Sequence, residues 1–440
     1  MATSTRRYVI IGTGAAGLAA AETIRERDPS ADLTIFGDDP YGFYSRPGLA
    51  YYLNGEVLER QLALRQASGL RHVKAKVVAL DPTGHQVTTQ DGHLHRYDRL
   101  LLATGSIATK IPNPGSDLEG VVKLDNMDDA KGIVKVARRS KGAVVVGGGI
   151  IALEFVEGLL ARGIETHYMI RSERYWPNVL DPIESAHVEK RLKHHGVRFH
   201  YKAQLAKIIE KRGKVAGIET DQGEQIKCQL LGVAIGVQPR MELAKAAGLK
   251  TDRGILTGEF LETSVEDIFA AGDVAQVFDP FSGKAVLDTL WSTAMAQGRA
   301  AGSNMAGARQ PYVKSVAFNV CRLANVTTTI IGAVGQDSKD QDLVSLSRGD
   351  SESWRQLPGV MAVQTDSEVN RVRIMTGPKA LVGAVVMGDQ TLSQPLHGLI
   401  ANQVDISPIR DELASPNVPL ADKIIDFWMQ WSRANEAAKR

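Results

Sequence analysis

One pattern occurs twice in the chain and fixes most of what it can fold into. Tyr8-Val-Ile-Ile-Gly-Thr-Gly-Ala-Ala-Gly17 is an apolar run closed by Gly12, Gly14 and Gly17, with Ala15 between the last two glycines. Ala143-Val-Val-Val-Gly-Gly-Gly-Ile-Ile-Ala152 repeats it, with Gly147 and Gly149 in the first two places and Ala152 in the third. The two first glycines lie 135 positions apart. Each pattern leads into a stretch with helical spacing, Leu18 to Arg27 and Leu153 to Arg162. A second apolar run comes after each, Leu33-Thr-Ile-Phe and Thr166-His-Tyr-Met-Ile. Strand, glycine turn, helix and strand in that order is the context a dinucleotide site requires. Backbone N–H groups at the helix N-terminus receive the pyrophosphate. One glycine makes the turn, one admits the phosphate, and one lets the helix sit on the strand. A single copy is equally compatible with a bare glycine turn; two copies, each in context, predict two dinucleotide sites.

The residues about twenty positions on separate the two copies. After the first, Leu33-Thr-Ile-Phe-Gly runs into Asp38-Asp39, and Asp38 is the acid expected to accept from a ribose hydroxyl. A solvated loop carboxylate is the other reading of Asp38. After the second copy no acid stands at the strand end. Ile170 is followed by Arg171, and Arg174 comes three residues later. An acid favours an unphosphorylated ribose, whereas an arginine can receive a 2′-phosphate. The second site therefore leans toward NADPH over NADH, unless Arg171 and Arg174 are ordinary surface residues.

Between the repeats the sequence reads as β-rich. Lys76 to Leu80 and Gln86 to Thr89 read as a hairpin ended by Asp91-Gly92. Arg99-Leu-Leu-Leu-Ala-Thr-Gly105 is a buried strand with a glycine turn, and Leu205 to Thr220 with Gln225 to Ile235 repeat the arrangement. From about Gln310 the texture changes. Runs at Thr327–Ile331, Val360–Val363, Arg371–Met375 and Ala380–Met387 alternate with turns, and two helices come after them. The expected fold class is α/β: two Rossmann-like dinucleotide-binding domains, one inserted in the other, plus a C-terminal α+β domain. The expected boundaries are 1–115 and 250–310 for the first, 116–249 for the inserted one and 311–440 for the last.

Composition excludes several alternatives. Apolar residues make up 43% and charged residues 23% of 440, as in an ordinary globular chain. The net charge of +2 calls for neither nucleic acid nor an acidic membrane. No run approaches 18 apolar residues, and the start runs straight into a strand with no secretory pattern, so the cytoplasm is the expected compartment. Cys228 and Cys321 lie 93 positions apart, with no CxxC and no His/Cys cluster at ligand spacing, so no metal site is expected.

The motifs together resemble the superfamily of FAD-dependent pyridine nucleotide–disulfide oxidoreductases. The branch that fits best holds the ferredoxin and rubredoxin reductases and the flavin modules of NAD(P)H-nitrite reductases. The similarity covers roughly residues 7 to 310. Tyr44-Ser-Arg46-Pro47-Gly-Leu49 resembles the loop that crosses the FAD pyrophosphate. Val77 matches a position that meets the adenine through its backbone, and Ala103-Thr104-Gly105 matches a strand end beside FAD. Gly147 to Glu154, including Ile150 and Ile151, matches the nicotinamide-nucleotide motif, and Ile235-Gly236-Val-Gln-Pro239 matches the closing turn of that domain. Ile268-Phe-Ala-Ala-Gly272-Asp273 matches the strand whose aspartate accepts from the ribityl chain. Leu290-Trp291 to Gly298 resembles a helix whose N-terminus faces the flavin pyrimidine. The resemblance implies FAD on the first repeat and NAD(P)H on the second, with hydride passing from nicotinamide C4 to flavin N5. Arg46 as a surface cation, Trp291 as plain core and Asp273 as a helix cap are the competing structural readings.

What is absent narrows the chemistry. The superfamily's disulfide reductases use a CxxxxC near the flavin. Its peroxidase, oxidase and CoA-disulfide branches use a single cysteine where Pro47 stands here. Neither Cys228, read as lying in a strand, nor Cys321 falls in a flavin motif, and both read as small buried hydrophobes. Electrons then leave the flavin directly for an external acceptor, such as a small iron–sulfur or rubredoxin-type protein or a partner subunit. Glu154 is the protein group expected near flavin N5 and the nicotinamide. Ferredoxin reductases often pair it with a lysine shortly after Arg-Pro, and Leu49-Ala-Tyr-Tyr52 holds none, so desolvation is expected to raise its pKa.

Two other functions fit parts of the pattern. A peripheral membrane NAD(P)H:quinone reductase would share the architecture and use C-terminal helices. Ile424, Phe427, Trp428 and Trp431 form one face near the C-terminus, but only Lys423 and Arg433 are basic there, against Asp422 and Asp426. A non-catalytic flavoprotein with a sensing or assembly role is the third. The C-terminal region would serve the flavin site, a homodimer or acceptor docking, and pattern does not choose among them.

Overall fold

The computed structural model describes residues 5–64, 69–281, 283–335, 361–366, 370–413, 415 and 418–439. Among these, two compact units separate. One takes the residues within 1–171 and 196–314, and the other those within 172–195 and 315–440.

The duplication read from the glycines extends through the first unit. Its first sheet has five parallel strands in the order Ile268–Ala270, Arg99–Leu102, Arg7–Ile11, Asp32–Phe36, Arg71–Val73. Its second has the order Arg198–Tyr201, Glu165–Ile170, Gly142–Val146, Leu230–Val233, Val121–Val122, again all parallel. In both, the strand before the glycine turn lies between the second strand of its repeat and a later closing strand. Helices cover these sheets, so their strands are apolar on both faces; Val9, Ile10, Leu100, Leu101, Val144, Val145 and Leu231 are all buried. Between the third strand and the closing strand each repeat inserts an antiparallel meander. These are Val77–Asp81, Gln86–Thr89, Leu94–Arg96 in one and Leu205–Lys211, Lys214–Thr220, Gln225–Lys227 in the other. The expected hairpin at 76–89 is thus three-stranded. Asp91-Gly92 turns the chain into a third strand of three residues, Leu94–Arg96, in which Leu94 and Arg96 are exposed, too short to show an alternating pattern.

Helix Ala15–Arg27 comes directly after the first glycine turn, and helix Trp291–Met305 packs on it. A Cβ at Gly298 would lie 2.2 Å from the Ala16 carbonyl oxygen, and one at Gly302 would lie 2.7 Å from that of Ala20. Small residues on both helices bring the backbones together, and both helix N-termini belong to the same half of the unit.

The second unit is built on an antiparallel sheet in the order Phe318–Leu323, Val326–Gly332, Leu381–Met387, Arg371–Thr376, Met361–Asp366. Of the expected run at Val360–Val363, Val360 lies outside the described residues. Among the described residues three helices come next, Ser393–Ala401, Arg410–Leu413 and Leu420–Lys439, where two were expected. The apolar face of the last helix docks on its own unit. Ile424 is fully buried, and Phe427, Trp428 and Trp431 pack on the same core. Segment 172–195, expected within the inserted domain, groups with this unit. Asp181 caps helix Pro182–His194 in a capping box with Glu184. Arg373 grips Glu184 through Nε (2.8 Å) and Nη2 (2.9 Å), and Arg371 meets Asp181 at 2.5 Å; all four side chains are buried.

Candidate dinucleotide-binding site

Both glycine turns are clamped in the same way. Gly12 N–H donates to the Phe36 carbonyl at 2.8 Å, and Ala103 N–H donates to that of Ile11 at 2.8 Å. In the second copy Gly147 N–H donates to Met169 at 3.2 Å, and Ala234 N–H donates to Val146 at 2.9 Å. Gly12 has φ +118°, and a Cβ there would lie 2.0 Å from the Ala103 carbonyl oxygen. Gly147 has φ +148°, with the Ala234 carbonyl oxygen 2.2 Å away. Only glycine suits either place. At Gly17 a Cβ would meet the Gly12 carbonyl oxygen at 2.0 Å, which seats the first helix on its turn. Ala152, fully buried, carries a real Cβ at the equivalent point of the second.

The space in front of the turns suits phosphate. Cβ atoms built at Gly14 and at Gly148 meet nothing within 4 Å. Helices Ala15–Arg27, Ile150–Leu160 and Trp291–Met305 have no side-chain cap and no acid in their first turn. Helix Met127–Ala137 of the same unit, by contrast, is capped by Asn126 and opens on Asp128 and Asp129. The three uncapped termini leave N–H groups and positive dipole ends free for an anion. One more donor is available. Gln297 Oε1 accepts from Gly272 N–H at 2.7 Å, while its Nε2, fully buried, has no partner among the described residues. Residues and space fit a dinucleotide here.

Around these turns the individual site residues take distinct places. Asp38 is exposed and has no partner among the described residues, whereas the Asp39 carboxylate is taken by Tyr44 Oη (2.8 Å) and Tyr41 N–H (3.0 Å). Arg46 is half-buried, donating to the Asp125 carbonyl at 3.2 Å; Pro47 beside it is exposed. Val77 is half-buried against the first core. Thr104 Oγ1 donates to the Arg240 carbonyl (2.8 Å) and Arg240 N–H donates to that of Gly105 (2.9 Å), so Ala103–Gly105 is fastened to the segment after Gly236. Asp273 accepts from Ser106 Oγ at 2.6 Å and is no helix cap. Trp291, the first residue of its helix, is half-buried and packs on the first core. Ile150 is buried and Ile151 half-buried at the start of the second helix; Arg171 is exposed and unpartnered among the described residues. Glu154 is half-buried on that helix and, against expectation, is engaged in an interaction of its own. One turn on, a Cβ at Gly158 would lie 3.0 Å from that of Leu53, so this helix face meets helix Leu49–Asn54, which comes after Arg46-Pro47.

Ser106 and Gln297 carry no signal of their own in the sequence. Ser106 stands directly after Ala-Thr-Gly, and Gln297 precedes Gly298 at the end of the Trp291 motif, but their roles depend on partners 167 and 25 residues away. The cysteines differ slightly from expectation. Cys228 lies between strands rather than in one, and burial pushes its thiol up to about 12. Cys321 is only half-buried, its Sγ 3.5 Å from the Thr328 carbonyl. Among the described residues no group of three or more His, Cys, Asp or Glu is arranged to hold a metal ion, and no helix is long and apolar enough to cross a membrane.

Comparison with known proteins agrees with this geometry. Residues 6–298 match the family described as pyridine nucleotide-disulphide oxidoreductase. The chain is 30% identical over 311 residues to a rubredoxin-NAD(+) reductase of Ectopseudomonas oleovorans, covering 69% of this chain and 80% of that protein. Among solved structures it resembles a ferredoxin reductase from Rhodopseudomonas palustris (TM-score 0.84, 23% identity, 96% of this chain and 100% of that one). It also resembles an engineered water-forming NADPH oxidase bound to NADPH (TM-score 0.79, 23% identity, 97% and 100%). The chain belongs to the pyridine nucleotide-disulphide oxidoreductase family, whose members bind FAD and NAD(P)H.

Proposed function

We infer that the chain is a cytoplasmic NAD(P)H oxidoreductase that passes electrons from FAD directly to an iron–sulfur or rubredoxin-type protein, or to a partner subunit, with no redox disulfide. The observation that carries this is the pair of identically clamped glycine turns, each opening on an uncapped helix, together with Pro47 where related enzymes hold a thiol. In this reading residues 1–115 and 250–310 hold FAD, 116–249 hold the nicotinamide nucleotide, and 311–440 serve the acceptor or an interface. Bound FAD supplies the redox chemistry, accepting a hydride and releasing electrons singly or in pairs. The protein's part is to bind and orient. Gly12, Gly14, Ala15, Gly17 and Arg46 take the pyrophosphate and Asp38 the ribose. Asp273, fixed by Ser106, takes the ribityl chain, and the helix terminus at Trp291 offers its dipole to developing negative charge. Glu154 orients the nicotinamide.

NADPH is the preferred nucleotide. The engineered NADPH oxidase carries five substitutions. Among them are glycine to alanine and, eighteen positions later, aspartate to alanine, with arginine and serine introduced at the next two positions. Ala152 is followed at the same separation by Ile170, Arg171 and Ser172. The match supports the reading made from Ala152 and from Ile170-Arg171 in the acid's place. The docked C-terminal helix face disfavours lipid as its counterpart. The acceptor is tested by mixing NADPH-reduced protein anaerobically with a rubredoxin or a ferredoxin. Rapid reoxidation of the flavin is expected; reoxidation only by a quinone would replace this reading with the membrane one.

A further inference from the structure

Tyr44 connects two parts of the FAD site that the sequence shows separately, Asp38–Asp39 and Arg46, and ties them to the start of helix Met127–Ala137. The residue is 7% exposed. Its hydroxyl donates to Asp39 Oδ2 at 2.8 Å and accepts from Met127 N–H at 3.1 Å. The Arg46 guanidinium lies 5.9 Å from the ring centroid, within cation–π reach, and the Tyr41 ring meets it edge-on at 6.4 Å. Asp39 is thereby turned inward, with Tyr41 N–H on its other oxygen, and the adjacent Asp38 alone is left facing solvent. Arg46 is held between the Tyr44 ring and the Asp125 carbonyl. A neutral phenol is needed throughout, since Asp39 can only accept. Burial holds the Tyr44 proton on well above the ordinary tyrosine range.

We propose that Tyr44 is a positioning residue for FAD: its hydroxyl fixes the Asp38–Asp39 pair so that Asp38 meets the ribose, and its ring sets Arg46 for the pyrophosphate. This rests on the assignment of FAD to the first repeat. Tyr44 acts through Asp39 and Arg46: it selects which of two neighbouring carboxylates is presented and where the guanidinium stands.

The test is the affinity of apoprotein for FAD, read from flavin fluorescence, for Tyr44→Phe, Asp38→Asn and the double variant. Melting of each apoprotein is followed alongside. Tyr44→Phe should weaken FAD binding about tenfold, as loss of a hydrogen bond to a charged group does. Asp38→Asn should lose distinctly less in the Tyr44→Phe background than in wild type, because an unfixed carboxylate has less to lose. A purely structural tyrosine would lower the melting temperature and leave the two effects on affinity additive, and additivity overturns the proposal. Asp39→Ala, on a half-exposed loop, frees the same hydroxyl without emptying the core and should reproduce the Tyr44→Phe loss. Asp39→Asn keeps an acceptor for the hydroxyl and should bind FAD nearly as wild type does. Wild-type affinity in both Tyr44→Phe and Asp39→Ala also overturns the proposal. Wild-type protein that takes up no FAD would overturn the underlying assignment as well, and so is distinct from either result.

Discussion

Arg171 sits one residue past a buried strand end, exposed, where a carboxylate would favour the unphosphorylated nucleotide. A guanidinium–phosphate contact is worth on the order of 1.5–3 kcal/mol when sheltered and under about 1 kcal/mol when open to solvent. NADPH should therefore be preferred by a few-fold to about a hundredfold, less so at high salt. Steady-state kinetics of Arg171→Ala should show a raised KM for NADPH and little change for NADH. A wild-type preference for NADH would remove the assignment. At this scale the sequence was most legible where backbone geometry demands a residue type: glycine at 12, 17 and 147, where a Cβ would strike a carbonyl oxygen. It was least legible where a role depends on a distant partner. Nothing local to Ser106 announces Asp273, nothing local to Gln297 announces Gly272, and nothing in Asp38-Asp39 itself announces that the Tyr44 hydroxyl lands on Asp39.

Among the elements, the helix pair Ala15–Arg27 and Trp291–Met305 carries the heaviest constraint. A methyl at Gly298 would overlap the Ala16 carbonyl oxygen, so Gly298→Ala must push the two helices apart. Overpacking of this kind costs about 1–3 kcal/mol or more, and flavin retention should fall with the melting temperature. Gly132→Ala is the contrast. It lies inside helix Met127–Ala137 with nothing within 4 Å of an added Cβ, and should be neutral or stabilise by up to about 1 kcal/mol. Equal losses in both would mean that helix contact is not the cause. The long buried strands were legible as unbroken apolar runs closed by glycine turns, and the first helices from their place directly after those turns. Short strands such as Leu94–Arg96 were not, since half-exposed residues dilute the alternation. The placement of 172–195 was hidden as well, because the buried pairs Arg371–Asp181 and Arg373–Glu184 join residues 190 and 189 positions apart.

For the whole molecule, acid should be destabilising in two stages. His72, His95, His167 and His397 are all held below the ordinary imidazole range, each chiefly by burial. His167 also stands against His200, Nδ1 to Nε2 at 2.8 Å, where only one proton fits. Because the folded pKa lies below the unfolded one, the unfolded chain binds more protons, and stability falls as pH drops from about 6.5 toward the folded values. Asp98 is shifted down mainly by its hydrogen bonds from Arg7; its contribution is present above about pH 4 and lost below. Asp129, raised by burial, works in the opposite sense. Melting temperatures should decline between about pH 7 and 5 and again below about 4; a flat profile over the upper range would show that these histidines are not sheltered.

In the proposed function electrons enter on NAD(P)H and leave FAD without a thiol. Burial keeps the Cys228 thiol protonated, and Cys321 lies in the C-terminal sheet. The direct measurement is anaerobic addition of one equivalent of NADPH to FAD-loaded Cys228→Ala/Cys321→Ser protein, followed at the visible flavin band. The band should bleach as fast and as fully as in wild type. A band that persists in the double variant while wild type bleaches would contradict it by placing a cysteine in the path, and a band that persists in both would contradict the oxidoreductase itself.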